Sequence, residues 1–215
     1  LFRSGANPSD LKKMPLVMKR IEACKQDRLN GAEDRQKLAE TPTLFRETKN
    51  PEHYIIVPAT SSEKRRYIPL GFMGVDTIPT NSAVIIPDAN LYEFGIITSN
   101  VHMAWMRAVA GRLKSDYRYS KDIVYNNFPW CNPTDEQKAK IEETAQAILD
   151  ARAKYPDSSL ADLYDETLMP PELRKAHQAN DRAVMAAYGF STKMTESECV
   201  AELFKLYEKL TEKMQ

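Results

Sequence analysis

No CxxC pair occurs anywhere in the 215 residues. The three cysteines, Cys24, Cys131 and Cys199, are odd in number and far apart, and His53, His102 and His177 are just as scattered. A disulfide scaffold or a structural zinc needs paired or clustered ligands, so neither is expected. Reduced thiols fit a cytoplasmic location. No apolar run approaches the roughly 20 residues of a membrane-spanning helix, so no membrane partner is expected. Net charge is missing too: 30 Lys and Arg balance 30 Asp and Glu. Many nucleic-acid-binding domains are plainly basic, so any such face here must be a local patch.

Catalytic signatures are also absent. No glycine-rich loop follows a strand, so nothing is spelled out to cradle S-adenosylmethionine. GxSxG, HExxH and P-loop patterns do not occur. Asp162, Asp165 and Glu166 cluster without the basic partner that metal-assisted hydrolysis wants, and read as solvent-facing. Asn127-Phe128-Pro129-Trp130 approaches the Asn/Asp-Pro-Pro-aromatic turn with which adenine-N6 methyltransferases hold a flipped base. Phe128 stands in place of the first proline, so the stretch reads as a structural corner.

What is present has a clear order. Leu1–Leu44 reads as mostly helical, with Pro15 in a first helical turn and Asn30-Gly31 at the end. Arg20, Lys25 and Arg28 read as a solvated helix face, with DNA contact as the alternative. Short β-type runs follow at 54–57, 67–72 and 83–86, separated by turn residues. Between the first two lies Ser61-Ser62-Glu63-Lys64-Arg65-Arg66. Its bases and hydroxyls suit phosphate contacts, and equally a soluble hairpin loop.

Leu91–Gly111 reads as two helical pieces broken near Ser99-Asn100, with Gly111 as a left-handed stop. Next comes Arg112-Leu113-Lys114-Ser115-Asp116-Tyr117-Arg118-Tyr119-Ser120-Lys121. This mixture of bases, one acid, tyrosines and hydroxyls can grip phosphates and read base edges. Tyr117–Tyr125 is expected to be a strand. From Asn132 onward the pattern is all helix, with capping boxes at Thr134/Gln137 and Thr195/Glu198. Val200, Leu203, Phe204, Tyr207, Leu210 and Met214 form the clearest apolar stripe.

The string Thr98–Trp130, TSNVHMAWMRAVAGRLKSDYRYSKDIVYNNFPW, closely resembles the target recognition region of MmeI-like type II restriction-modification proteins. Ala39–Phe45, Ser61–Phe72, Leu160–Asp165, Leu173–His177, Asp181–Val184 and Ala187–Phe190 extend the likeness over nearly the whole chain. Cys131, where the family often has a second proline, is a small departure.

The resemblance implies an α+β fold. A small mixed β-sheet target recognition domain with packed helices would occupy residues 1–130, its first strands absent. An all-α helical bundle tail would occupy 131–215. The chain would be the carboxy-terminal piece of an enzyme that methylates adenine N6, in keeping with its abrupt Leu1-Phe2-Arg3 start. Its partners would be double-stranded DNA and its own methyltransferase domain. No cofactor would bind this piece, S-adenosylmethionine belonging to the missing methyltransferase domain.

In the family, base-reading side chains lie in the segment spelled here Gly111–Arg118, and the matching positions are Lys114 and Asp116. Two apart, they would point the same way on an extended backbone. Lysine donates to guanine O6 and N7, and aspartate accepts from cytosine N4, so together they would read one G·C pair. The alternative is a surface ion pair. Asn81, in the turn Thr80-Asn81-Ser82, would pair with adenine, with Ala59 and Thr60 as weaker candidates. Arg65, Arg66, Arg112, Arg118, Lys121, Ser61 and Ser62 are assigned to phosphates. A different class of function also fits, a helical protein–protein scaffold docking on the methyltransferase domain or another subunit.

Overall fold

The computed structural model describes residues 7–44 and 50–212. Phe45, Met214 and the first three residues, which entered the sequence reading, lie outside the described residues. The chain divides into two compact units, Leu1–Asn50 and Pro51–Gln215.

The first unit carries α1 (Pro8–Lys12), α2 (Pro15–Leu29) and α3 (Glu33–Gln36). Asn7 Oδ1 accepts from Ser9 N–H at 3.0 Å and caps α1. Pro15 opens α2 as expected, because its missing N–H is one that a first turn leaves unpaired anyway. Arg28 is half-buried and turns back onto its own chain. Its guanidinium donates to the carbonyl oxygens of Leu38, Thr41 and Leu44 at 2.7, 2.8 and 2.7 Å, and so ties down the segment after α3.

The second unit begins with β1 (His53–Pro58), β2 (Thr60–Ser61), β3 (Gly71–Gly74) and β4 (Ala83–Pro87). Two helices follow, α4 (Leu91–Ile97) and α5 (Asn100–Val109), then β5 (Gly111–Leu113) and β6 (Asp116–Arg118). The strands make two three-stranded sheets, ordered β3-β1-β4 and β2-β6-β5. Among the described residues every pairing is antiparallel, in two sheets where one mixed sheet was expected. For β5 and β6 the two-residue connection demands it, since parallel neighbours need a crossover of about a dozen residues or more.

Tyr67–Leu70 is not strand, although Tyr67, Ile68 and Leu70 are buried. Pro69 in its middle cannot donate to a ladder. The strand expected over Tyr117–Tyr125 stops at Arg118, and Lys121–Tyr125 is a single π-helical turn with Ser120 as its cap. Trp105 Nε1 donates to Val124 O at 3.0 Å and fixes that turn against α5.

The break between α4 and α5 falls as predicted, with Ser99 accepting from His102 N–H. Gly111 is not left-handed. Helix α5 closes through Ala110 in extended backbone (φ −67°, ψ 143°), and Gly111 opens β5.

The remaining helices are α6 (Asp135–Ala153), α7 (Leu160–Leu163), α8 (Pro171–Tyr188) and α9 (Glu196–Glu212). Both expected capping boxes form. Gly189, at φ 70°, closes α8 in the left-handed conformation that glycine adopts freely. Ile141, Ala145 and Ile148 of α6 join Phe94, Ile96 and Ile97 of α4 in the core, with Leu173 and Val184 of α8. The α4–α6 approach is close because Gly95 has no side chain; a Cβ there would lie 2.5 Å from Ile141 Cγ2. Among the described residues no helix is long and apolar enough to cross a membrane.

Candidate nucleic-acid interface

The segment Gly111–Arg118 folds as a tight hairpin. Leu113 pairs with Asp116, leaving a two-residue turn of Lys114 and Ser115. Lys114 has φ 56°, a left-handed conformation that two-residue hairpin turns demand and glycine usually supplies. This corrects the expected geometry. Lys114 and Asp116 do not alternate on one extended run; Lys114 is at the tip of the turn and Asp116 begins the returning strand. The turn folds both toward the exposed end of the hairpin, Lys114 exposed and Asp116 half-buried. Among the described residues they make no ion pair, so the bland alternative is not what holds them.

Asp116 Oδ1 instead accepts from Glu63 N–H at 3.4 Å, which docks the hairpin beside the basic loop. Arg112 lies with its guanidinium carbon 3.8 Å from the centroid of the Tyr117 ring. It also donates to Ser115 O at 2.7 Å and lies 3.8 Å from a Glu63 carboxylate oxygen. Arg112 therefore braces the turn. Arg118 and Lys121 stay exposed, as does Arg66, while Arg65 is half-buried.

Ala59 joins the two sheets. Its N–H donates to Ser82 O and its carbonyl accepts from Tyr119 N–H, both at 2.9 Å. The exposed Asn81 turn is thereby tied to the hairpin sheet, where Thr60 pairs with Arg118. Thus the structure brings the Asn81 turn, Ala59-Thr60, loop 62–66 and hairpin 111–118 into one neighbourhood. Ser61 is the exception among the assigned residues. It is 3% exposed and pairs with Tyr117 in the small sheet, so its hydroxyl is withdrawn from any phosphate. Alternation along β2 explains the swap, turning Thr60 outward and Ser61 inward. Ser62 remains half-buried, with its Oγ accepting from Lys64 N–H at 3.3 Å.

Below the loop lies a buried polar chain that sequence reasoning missed. Tyr67 OH donates to Asp181 Oδ2 at 2.7 Å, and Asp181 Oδ1 accepts from Asn100 N–H at 2.8 Å. Burial, helped by the neighbouring carboxylate, raises the Tyr67 phenol above its usual range, so it keeps its proton and donates. Burial raises the Asp181 carboxyl too, with its two hydrogen bonds pulling the other way. The Tyr67 ring stacks on His177 at 4.1 Å between centroids. His177 Nε2 meets Tyr164 OH at 2.7 Å, and Arg152 bonds both that hydroxyl and Leu70 O. No local signal reveals these partners, which stand up to 114 residues apart. Among the described residues no group of His, Cys, Asp and Glu is arranged to hold a metal.

The family description "MmeI, target recognition domain" matches residues 1–132, and "MmeI, C-terminal domain" matches 133–215. DNA methyltransferase A of Bacillus subtilis (strain 168) is 41% identical over 215 residues, which cover 99% of this chain and 24% of that protein. A solved structure of the type IIL restriction-modification enzyme MmeI in complex with DNA superposes with a TM-score of 0.88 at 45% identity. That match covers 97% of this chain and 28% of the solved one. The chain therefore spans about a quarter of the length of these relatives.

Proposed function

This chain belongs to the MmeI family, carrying its target recognition and C-terminal domains, and on that footing we propose that it reads a specific sequence in duplex DNA. It would do so for a restriction-modification protein that methylates adenine N6 in the cytoplasm. The observation that carries this reading is the hairpin tip. A non-glycine residue held left-handed stores strain of about 1–3 kcal/mol, and such strain persists where the side chain is needed. Two non-glycine residues among those described are so held, Asp88 and Lys114, and of these Lys114 tips the hairpin that carries the base-rich segment, in a chain similar to one solved on DNA.

Lys114 donates to guanine O6 and N7, and Asp116 accepts from cytosine N4, one G·C pair between them. Asn81 offers the amide that pairs with adenine N6 and N7. Arg65, Arg66, Arg118, Lys121 and the Ser62 hydroxyl take phosphates, while Arg112 both stiffens the turn and adds its charge. The functional division falls at 130/131, the hairpin and loops reading DNA and the helices beyond supporting them. The methyltransferase part of the longer relatives would hold S-adenosylmethionine and bear against this chain.

The test is a charge exchange, Lys114→Asp with Asp116→Lys, in the full-length protein. Preference at one G·C position should invert or vanish, a discrimination of roughly 1–3 kcal/mol, with other positions unchanged. Unaltered recognition at every position would refute the base-reading roles. A scaffold function retains one observation, since Phe204 and Leu210 are 42% and 46% exposed on α9. Labelled duplex titrated at low salt separates the two; no retention favours the scaffold.

A further inference from the structure

The basic loop is held at both ends. At its start, Glu63 N–H donates to Asp116 on the hairpin. At its end, Arg66 O accepts from Arg107 Nη1 on α5 at 3.2 Å. Arg107 is itself gripped by Glu196, in the first turn of α9, through Nε–Oε1 at 2.7 Å and Nη2–Oε2 at 2.8 Å. A guanidinium with two parallel bonds to one carboxylate is fixed in plane and direction. Its third nitrogen, Nη1, is thereby aimed at the loop. Lys64, Arg65, Arg66, Arg107 and Glu196 line one cleft of about 470 Å³.

We infer that Arg107 and Glu196 are positioning residues: α9 sets the backbone of loop 62–66 through them, and so sets how many phosphates Arg65 and Arg66 can reach. This rests on the DNA-recognition reading and deepens it. Glu196 itself touches no DNA in this account. Its charge alone would repel the duplex, so removing it should tighten binding if field effects were all that mattered. The clamp demands the opposite sign.

The test is Glu196→Ala in the 215-residue chain, with Glu202→Ala on the same helix as the charge control. Duplex affinity is measured across a salt series, and amide hydrogen exchange is followed at residues 63–66. Affinity of Glu196→Ala should fall about fivefold or more, with the plot of log K against log salt shallower by about 1–2, since each lost phosphate contact removes roughly 0.9. Exchange at 63–66 should accelerate while Glu202→Ala matches the parent. Equal or tighter binding with an unchanged slope overturns the inference, and so does unchanged exchange. Should the parent chain retain no duplex at all, the recognition reading fails instead, and the exchange comparison alone decides the clamp.

Discussion

Lys114 shows how much one backbone angle can say. At φ 56° its Cβ crowds the neighbouring carbonyl, which costs an L-residue about 1–2 kcal/mol. Glycine would sit there without that strain. Lys114→Gly should therefore leave the urea midpoint unchanged or raise stability by up to about 1 kcal/mol, part of the relief being offset by a more flexible unfolded chain. The same variant should lose its G·C discrimination. A clear loss of stability would show that the lysine side chain is structural. Residue types marked the stretch 112–121 as one able to meet DNA, and the family resemblance singled out Lys114 and Asp116 within it. The left-handed angle was not legible, since Gly111, three positions earlier, offers itself as the obvious left-handed residue and turns out to begin a strand instead.

At the scale of elements, capping and proline rules located several helix starts. Ser99 and Thr134 each accept a backbone N–H, and Pro15 opens its helix. These signals work because the groups they satisfy are a few residues away. Strand pairing depends on distant partners, so β2 and the true extent of β6 were hidden: Thr60 finds Arg118 only in three dimensions. Contact between helices is equally non-local. Gly95→Ala would place a methyl 2.5 Å from Ile141 Cγ2 and 3.1 Å from Asn180 Oδ1. Asn180 is fully buried, donates to Gly95 O at 2.8 Å and accepts from Thr144. We expect Gly95→Ala to cost roughly 1–3 kcal/mol by overpacking, seen as a lower denaturant midpoint. No change in the midpoint would mean that α4 and α6 slide apart freely.

Over the whole molecule, net charge is zero, and the positive groups that matter are gathered rather than numerous. Two histidines are buried inside the second unit. His102 is fully buried, its Nε2 meeting Tyr119 OH at 2.9 Å, and burial pushes it down to about 3. His177, between Tyr67 and Tyr164, is lowered well below its usual value by burial, then by Arg152 and Arg66. Both are lower folded than unfolded, so the unfolded chain takes up protons first as the medium acidifies. Their contribution is present in full above about pH 6.5 and is lost as pH falls toward the folded values. Urea midpoints should drop between pH 7.5 and 5.5, and His102→Gln should shrink that drop even while lowering both midpoints. An equal drop in the variant would clear His102 of the effect. The sequence by itself determined the order of helical and β-type stretches, the helical carboxy-terminal part and the residue types of a segment able to meet DNA, because these follow from short-range periodicity and side-chain chemistry, and the family resemblance added the α+β class. Only the tertiary structure decided that Lys114 tips a turn, that Ser61 faces inward, and that Arg107 and Glu196 hold the loop. Each of those depends on a partner brought close by folding, and a distance of that kind is not written in neighbouring residues.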